Sequence, residues 1–134
     1  MASSPLVRWE TPVSDAEILS VDIATAEGFW GIVACDRQTQ VECRFSFGRS
    51  LAYRVMDESF YPAGADDVCT TREIGRTATY PSSPWLAKFN DAFPREHLEM
   101  LLDEECLHHF FYGDDNIIEV LAPSPEITIT SAGE

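Results

Sequence analysis

The sequence predicts a single α+β domain over residues 1–134, in which a mainly antiparallel sheet packs against two or three helices. Three observations predict this class. A chain of 134 residues, 45% of them hydrophobic, can bury one core and is too short for two. Several segments alternate apolar and polar residues or form short β-branched and aromatic runs, as strands do. Between them, a capping-box pattern and a Ser-Pro pair indicate helix starts.

The N-terminal segment predicts a short strand near Trp9 and then a helix. Ser14 and Glu17 have the spacing of a capping box, which is typical of a helix N-terminus. The apolar residues that follow at helical spacing are Ala16, Leu19, Ile23 and Ala26. The pattern therefore favours a helix over residues 15–26. The alternative is an alternating strand that contains Ile18, Val21 and Ile23.

Residues 29–55 predict three antiparallel strands in a meander. The first strand begins at Phe29 and ends at the polar turn residues 36–39. In the second strand, over residues 41–47, apolar and polar residues alternate, as in a strand with one solvent-facing side. After a short turn, the alternation resumes over residues 51–55 and gives the third strand.

The region that follows the meander predicts a loop, an edge strand and a short helix. Residues 58–67 show no periodicity, which is typical of a surface loop. The threonine-rich segment 68–80 predicts an edge strand interrupted at Gly75. Serine at position 82 or 83, followed by Pro84, predicts a helix with a serine N-cap and a proline in its first turn.

The segment from Cys106 to Ala122 predicts a hairpin. Two apolar runs, over residues 107–112 and 117–121, are separated by a polar break of four residues. Both runs are apolar at consecutive positions, so each strand should be covered on both faces and lie centrally in a sheet. Beyond the hairpin, isoleucines alternate with threonines over residues 127–130 and predict an edge strand.

The charge balance is the outlier of the composition. Nine Lys and Arg residues against 23 Asp and Glu residues give a formal net charge of −14. Direct nucleic-acid binding needs clustered cations, so the composition argues against it and predicts a basic protein partner instead. The alternative is that the charge serves only solubility.

Cysteine usage and hydropathy predict a cytoplasmic protein without a membrane segment. The four cysteines have no CxxC spacing and follow no apolar leader, which indicates reduced thiols. No apolar stretch approaches the roughly 18 residues that a membrane-spanning helix needs.

Acidic residues form the predicted partner-binding site. A helix is predicted from Pro94 to about Glu105, because leucines repeat there at helical spacing. Its carboxylates at positions 96, 99 and 103 share one face, where like charges repel by about 0.2 to 0.5 kcal/mol per pair. Like charges that repel each other on one helix face are typical of a functional surface. A face that is only solvated has the same pattern. The predicted partner-binding residues are Asp66, Asp67, Glu96, Glu99, Asp103, Asp114 and Asp115.

No residue pattern predicts catalysis or metal binding. Cys106 and His108 would share one strand face while His109 points to the other, so at most two ligands converge. The third histidine, His97, sits on the preceding predicted helix. No glycine-rich elbow frames a Ser or Cys nucleophile, and no phosphate-binding loop is present. The sequence therefore predicts no enzyme activity, no cofactor and no metal.

Three segments carry a family resemblance. They are MDESFY from Met56, SPWLAKFND from Ser83 and HHFFYGDDNIIEVLAPSPEI from His108. Over these segments the chain resembles small bacterial α+β proteins of unassigned activity, and its closing pattern is similar to immunity proteins that neutralise polymorphic toxins. The resemblance implies an acidic inhibitor of a basic toxin domain, such as a nuclease, that mimics the charge of the toxin's substrate. It assigns no binding residue.

The leading hypothesis is a non-enzymatic protein-binding module of the immunity type, either a monomer or a homodimer. A second hypothesis is a small enzyme or ligand-binding protein with an aromatic and histidine pocket. That pocket would be lined by Trp30, Tyr53, Trp85, His108 and Tyr112. A third is a subunit of a homo-oligomer joined through an exposed sheet edge.

Overall fold

The structure, a computed structural model, describes residues 6–26, 29–48, 52–57, 74–92 and 105–131. These residues form two antiparallel sheets and one helix. The strands are β1 (Val7–Arg8), β2 (Leu19–Ala26), β3 (Phe29–Asp36), β4 (Val41–Ser46), β5 (Ala52–Asp57), β6 (Thr77–Thr79), β7 (Leu107–Tyr112), β8 (Asn116–Ala122) and β9 (Glu126–Ser131), and the helix is α1 (Pro84–Ala92). The fold is mainly β, so the predicted α+β class with two or three helices is wrong.

Strand order separates the elements into a five-stranded and a four-stranded sheet. The five-stranded sheet has the order β1-β6-β7-β8-β5, and the four-stranded sheet has the order β2-β3-β4-β9. Every neighbouring pair is antiparallel. The hairpin β7-β8 provides two of the three inner strands of the five-stranded sheet. The predicted hairpin from Cys106 to Ala122 and its central position are therefore confirmed.

One apolar cluster fills the space between the two sheets. Phe45 from β4 and Phe111 from β7 are fully buried, and their ring centroids lie 4.9 Å apart in an edge-to-face arrangement. Val21, Ile32 and Val120 belong to the same cluster. Burying a side chain of this size contributes about 1.5 to 3 kcal/mol. This inter-sheet cluster therefore holds the two sheets together.

The opposite face of the five-stranded sheet is buried as well. Phe110, Tyr112 and Ile117 belong to a second apolar cluster on that face. Successive residues of a strand point to opposite faces. Burial of both faces therefore explains why β7 and β8 are apolar or aromatic at nearly every position. It confirms that each arm of the hairpin is covered on both sides.

The predicted helix over residues 15–26 is wrong, because this segment contains strand β2. Leu19 and Val21 are buried between the sheets, whereas Asp22 is exposed. This alternation has the period of a strand. The alternating strand, which was the other interpretation of this segment, is the observed structure.

The capping-box interpretation of Ser14 and Glu17 is wrong for the same reason. The Ser14 Oγ accepts a hydrogen bond from the Thr11 N–H at 2.7 Å and donates one to the Trp9 carbonyl at 2.9 Å. Serine hydroxyls stabilise tight turns in this way as readily as they cap helices. The local pattern therefore marks a turn before β2.

The predicted meander is correct for β3 and β4 but wrong for the third strand. β5 pairs with β8 in the five-stranded sheet, with Arg54 opposite Glu119. Alternation of apolar and polar residues shows which face of a strand is wet, but not which strand lies beside it. The pattern of residues 51–55 therefore predicted a strand correctly and its neighbour wrongly.

In the segment 68–80, the described residues form a strand only over Thr77–Thr79, and this strand lies between β1 and β7 rather than at an edge. Gly75, just before it, has a φ of 97°, which other residues rarely adopt. A Cβ at Gly75 would lie 3.0 Å from the carbonyl oxygen of Ser14. The glycine therefore allows the chain to pass close to the turn that precedes β2.

Three further predictions are confirmed. β1 lies where the N-terminal strand is predicted, and β9 is an edge strand that pairs with β4. α1 begins at Pro84, and Ser83 is its N-cap, because the Leu86 N–H donates to the Ser83 Oγ at 3.0 Å. The loop predicted over residues 58–67 and residues 94–104 of the second predicted helix lie outside the described residues.

Candidate functional site

Two of the seven predicted partner-binding residues, Asp114 and Asp115, lie in the described part of the chain. They occupy the loop between β7 and β8. Asp115 is exposed and Asp114 is half-buried. The other five, Asp66, Asp67, Glu96, Glu99 and Asp103, lie outside the described residues.

Asp114 joins the hairpin loop to the start of β2. Its N–H donates to the Leu19 carbonyl at 2.8 Å, and its Oδ2 accepts from the Leu19 N–H at 3.0 Å. Its Oδ1 accepts from Nη2 of Arg76 at 2.9 Å. Asp114 therefore has a structural role, and Asp115 is the residue of the pair that faces solvent.

Arg76 fixes the same region from inside. The residue is 6% exposed, and its guanidinium donates to the carbonyls of Ala16, Glu17 and Tyr112 as well as to Asp114. Several good hydrogen bonds compensate for burying the charge. The hairpin loop and the segment before β2 are thereby held in one arrangement.

These contacts gather four carboxylates at one end of the molecule, which we call the acidic end: Glu17, Asp36, Asp114 and Asp115. Asp36 pairs with Leu19 in the β2-β3 register, and Glu17 accepts a hydrogen bond from the Gln38 side chain at 3.2 Å. An exposed cation, Arg37, lies in the turn beside them.

Most described cations are paired within the molecule. Six Lys and Arg residues are described, and four of them form ion pairs with described carboxylates. These four are Arg8, Arg44, Arg54 and Arg76. The described segments contain thirteen Asp and Glu residues against these six cations, so they present more negative than positive charge to a partner.

A chain of polar side chains lies on the face of the five-stranded sheet that α1 covers. We call Ser83, His108, Glu119 and Arg54 the polar chain. The Ser83 Oγ lies 2.6 Å from Nδ1 of His108, and Nε2 of His108 lies 2.8 Å from Oε1 of Glu119. Arg54 donates to both carboxylate oxygens, from Nε at 2.8 Å and from Nη2 at 2.9 Å.

The hydrogen bonds of the polar chain run in one direction. An ionised Glu119 can only accept, so His108 carries a proton on Nε2 and donates it to the carboxylate. The Ser83 Oγ already accepts from the Leu86 N–H, and its own proton is directed to Nδ1 of His108. In the tautomer with its proton on Nε2, Nδ1 accepts the Ser83 hydroxyl proton, and both imidazole nitrogens are hydrogen-bonded.

Three members of the polar chain are nearly inaccessible to water, whereas Arg54, at its outer end, has a side chain that is 32% exposed. Ser83, His108 and Glu119 are 4%, 2% and 1% exposed. Burial raises the pKa of the Glu119 carboxyl, but hydrogen bonds from His108 and Arg54 and the charge of Arg54 outweigh it, so the pKa lies below its usual value. Glu119 is therefore a carboxylate at neutral pH.

Aromatic rings hold the His108 imidazole in place. Phe110 and Tyr80 stack on it with centroids 4.5 and 5.7 Å away, and Trp85 meets it edge-on at 5.3 Å. The guanidinium of Arg54 lies over the Trp85 ring, 4.3 Å from the centroid. Trp85 of α1 thus covers the polar chain, to which the N-cap of this helix, Ser83, belongs.

Sequence reasoning missed this arrangement. From the sequence, His108 was a candidate metal ligand or pocket-lining residue and Ser83 a candidate helix cap, but neither was connected with Glu119 or Arg54. A signal was present at Glu119, which is the single charged residue within the apolar run of β8. A charge buried on an inner strand needs partners, so that position indicated a polar network without identifying its members.

His109, the neighbour of His108, faces the inter-sheet cluster instead. Its Nε2–H donates to the Ala122 carbonyl at 2.9 Å, while Nδ1 has no hydrogen-bond partner among the described residues. The rings of Trp9 and Phe47 lie 5.0 and 5.4 Å away. Burial lowers the pKa of His109 to about 4, so the imidazole is neutral at neutral pH.

These positions confirm that His108 and His109 point to opposite faces of the strand. Within the described ranges, no group of three His, Cys, Asp or Glu side chains is placed to hold a metal ion. Burial raises the pKa of Cys43 and of Cys106 to about 11, so both are protonated thiols at neutral pH.

The five residues of the hypothetical aromatic pocket separate into two groups. Trp30 and Tyr53 contact each other, with centroids 5.4 Å apart, on the side of the five-stranded sheet that faces the other sheet. Trp85, His108 and Tyr112 lie on the side of α1 or in the second apolar cluster. The structure therefore does not bring the five side chains around one cavity.

No helix of the described segments is long and apolar enough to cross a membrane. Comparisons with protein-family models, curated proteins and solved structures found no match to this chain.

Proposed function

We propose that the protein is an acidic module that binds a basic protein in the cytoplasm, of the kind that immunity proteins represent. The observation that carries this proposal is the charge distribution. The chain has a net charge of −14, and most of the described cations are paired internally. Excess negative charge on a stable surface favours encounter with a cationic partner such as a toxin nuclease domain.

The acidic end offers the best-defined contact surface in the described part of the chain. Its carboxylates stand on backbone that is fixed by Arg76 and by the paired strands β2 and β3. A rigid surface loses little conformational entropy on binding. Asp115 and Glu17 are exposed and are the proposed ion-pairing residues.

Calorimetry against the purified product of the neighbouring gene tests the proposal. We expect binding at low salt that weakens markedly at about 0.5 M salt, where screening is nearly complete over a few ångströms. Asp115→Lys and Glu17→Lys should each weaken the affinity about 3- to 10-fold, mainly through slower association.

Glu126→Lys is the matched control, because Glu126 is exposed at the opposite end of the four-stranded sheet from Asp36. It makes the same change of net charge away from the acidic end. Equal weakening by all three variants would show a non-specific charge effect, and absence of heat at low salt for the unmodified protein would contradict the proposal.

A further inference from the structure

The polar chain has the order of groups that nucleophilic catalysis by serine requires. Such catalysis needs a hydroxyl within about 2.6 to 3.2 Å of a base, and a third group that orients the base. The Ser83 Oγ is 2.6 Å from Nδ1 of His108, and Glu119 accepts from the other imidazole nitrogen at 2.8 Å. We propose that Ser83 is an activated nucleophile for small acyl esters, with His108 as its general base and Glu119 as the positioning residue.

The local chain path suits this role. Ser83 follows strand β6 and a turn over residues 81–82, and it is the N-cap of α1. A nucleophile on a strand-turn-helix connection stands at a helix N-terminus, where backbone N–H groups favour developing negative charge. The Trp85 N–H is one of the donors that the helix itself cannot pair. Pro84 has no N–H, so fewer oxyanion donors are present than in an efficient hydrolase, and turnover should be slow.

Helix capping alone does not account for the arrangement. An N-cap needs only one acceptor atom, and the Ser83 Oγ meets this need by accepting from the Leu86 N–H. Burying Glu119 with two hydrogen-bonding partners is costly compared with apolar packing of the same volume. Buried apolar residues occupy the neighbouring positions of β8, so this strand can be packed without a buried charge. A costly buried network is expected where chemistry needs it.

The proposed reaction has two stages. The Ser83 Oγ forms a bond to the acyl carbon and passes its proton to Nδ1 of His108, and the alcohol leaves with that proton as its C–O bond breaks. Water then attacks the carbonyl carbon of the acyl-serine and gives one proton to His108. The bond between that carbon and Oγ breaks, His108 returns the proton to Oγ, and the carboxylic acid leaves. Glu119 stabilises the imidazolium that forms in each stage, and Arg54 keeps Glu119 ionised.

Burial of the site sets the size of the substrate. Ser83 is only 4% exposed and lies beside the half-buried Trp85. A bulky acyl group would therefore be excluded, and an acetyl ester is the suitable probe. The inference is independent of the acidic end, because none of its residues belongs to the polar chain.

Intact-mass spectrometry of the full chain tests the inference. The protein is incubated with p-nitrophenyl acetate, and the modified peptide is identified. We expect one adduct on Ser83, formed at least about 100-fold more slowly in His108→Gln, since a general base contributes about 10²- to 10⁴-fold. Ser82→Ala changes the exposed neighbouring serine of the same turn and should label as the unmodified protein does.

Ser83→Asn keeps a side chain that caps helices well but removes the nucleophile. A folded Ser83→Asn protein that no longer labels supports the inference. Overturning results are an adduct that persists in Ser83→Asn, labelling of the unmodified protein only after denaturation, or equal rates with and without His108.

Discussion

His108 and His109 are adjacent in sequence and equally buried, yet they occupy opposite chemical environments. His108 forms hydrogen bonds through both ring nitrogens, to Ser83 and Glu119, whereas Nδ1 of His109 has no hydrogen-bond partner among the described residues. The cause is the two-residue period of β7, which directs one side chain to the α1 face and the next to the inter-sheet cluster. One strand therefore supports a polar network on one side and an apolar core on the other.

The largest expected effect comes from removing the centre of the polar chain. Glu119→Ala should destabilise the fold by about 3 to 5 kcal/mol, because it leaves His108 buried without its acceptor and removes the ion pair of Arg54. Chemical denaturation at neutral pH measures this change. Glu126→Ala, at an exposed position, should stay within about 0.5 kcal/mol of the unmodified protein. Similar stabilities for both variants would show that the network contributes nothing.

The His109 side of the comparison is tested by pH. Its pKa is about 4 in the folded protein and near 6.5 when unfolded, so the unfolded state binds the proton more readily. The neutral imidazole of His109 therefore contributes about 3 kcal/mol to the free energy of unfolding above pH 6.5. This contribution is lost as the pH falls from 6.5 to 4. The free energy of unfolding is measured at each pH for the unmodified protein and for His109→Gln. The contributions of all other titrating groups cancel in the difference between the two proteins. A difference in unfolding free energy that does not change over this pH range would contradict the prediction.

Removing the first member of the polar chain should have a moderate effect. Ser83→Ala loses the helix cap and the hydrogen bond to His108, which together contribute about 1 to 3 kcal/mol. Ser83→Asn should recover part of this, because asparagine also caps helices well. Thermal unfolding of Ser83→Ala and Ser83→Asn, with Ser82→Ala as the control, measures the loss of stability in each variant. The comparison separates the contribution of the helix cap from that of the hydrogen bond to His108. Equal destabilisation by Ser83→Ala and Ser82→Ala would contradict the structure.

The smallest effect is expected at the outer end of the polar chain. Arg54→Lys keeps the charge but loses the paired hydrogen bonds and the flat contact with Trp85, and should cost about 1 kcal/mol. A double-mutant cycle with Trp85→Leu isolates the contact between the two side chains. A coupling energy near zero would show that the ring only covers the site.

The sequence could predict those features that depend on local pattern. The runs of β7 and β8 predicted a central hairpin, and Ser-Pro predicted the start of α1, since in both cases adjacent residues carry the information. The apolar residues in the segment of β2 fitted the period of a helix and that of a strand. The strand forms because this segment pairs with β3. The neighbour of β5 was not predictable, because it depends on β8, more than 60 residues away in the chain.

The polar chain shows the same limit. Its hydrogen bonds join residues 11, 25 and 65 positions apart, so no spacing rule brings Ser83, His108, Glu119 and Arg54 together. The excess of acidic residues and their spacing predicted an acidic partner-binding site, and this function stays a prediction.

Nuclear magnetic resonance of the two imidazoles tests the central comparison most directly. In the unmodified protein at neutral pH, both rings should show a slowly exchanging Nε2–H, and His109 should show an unprotonated Nδ1. Glu119→Gln should change the His108 signals while leaving those of His109 in place. Rapid solvent exchange at His108, or equal changes at both histidines, would contradict a polar chain confined to one face of β7.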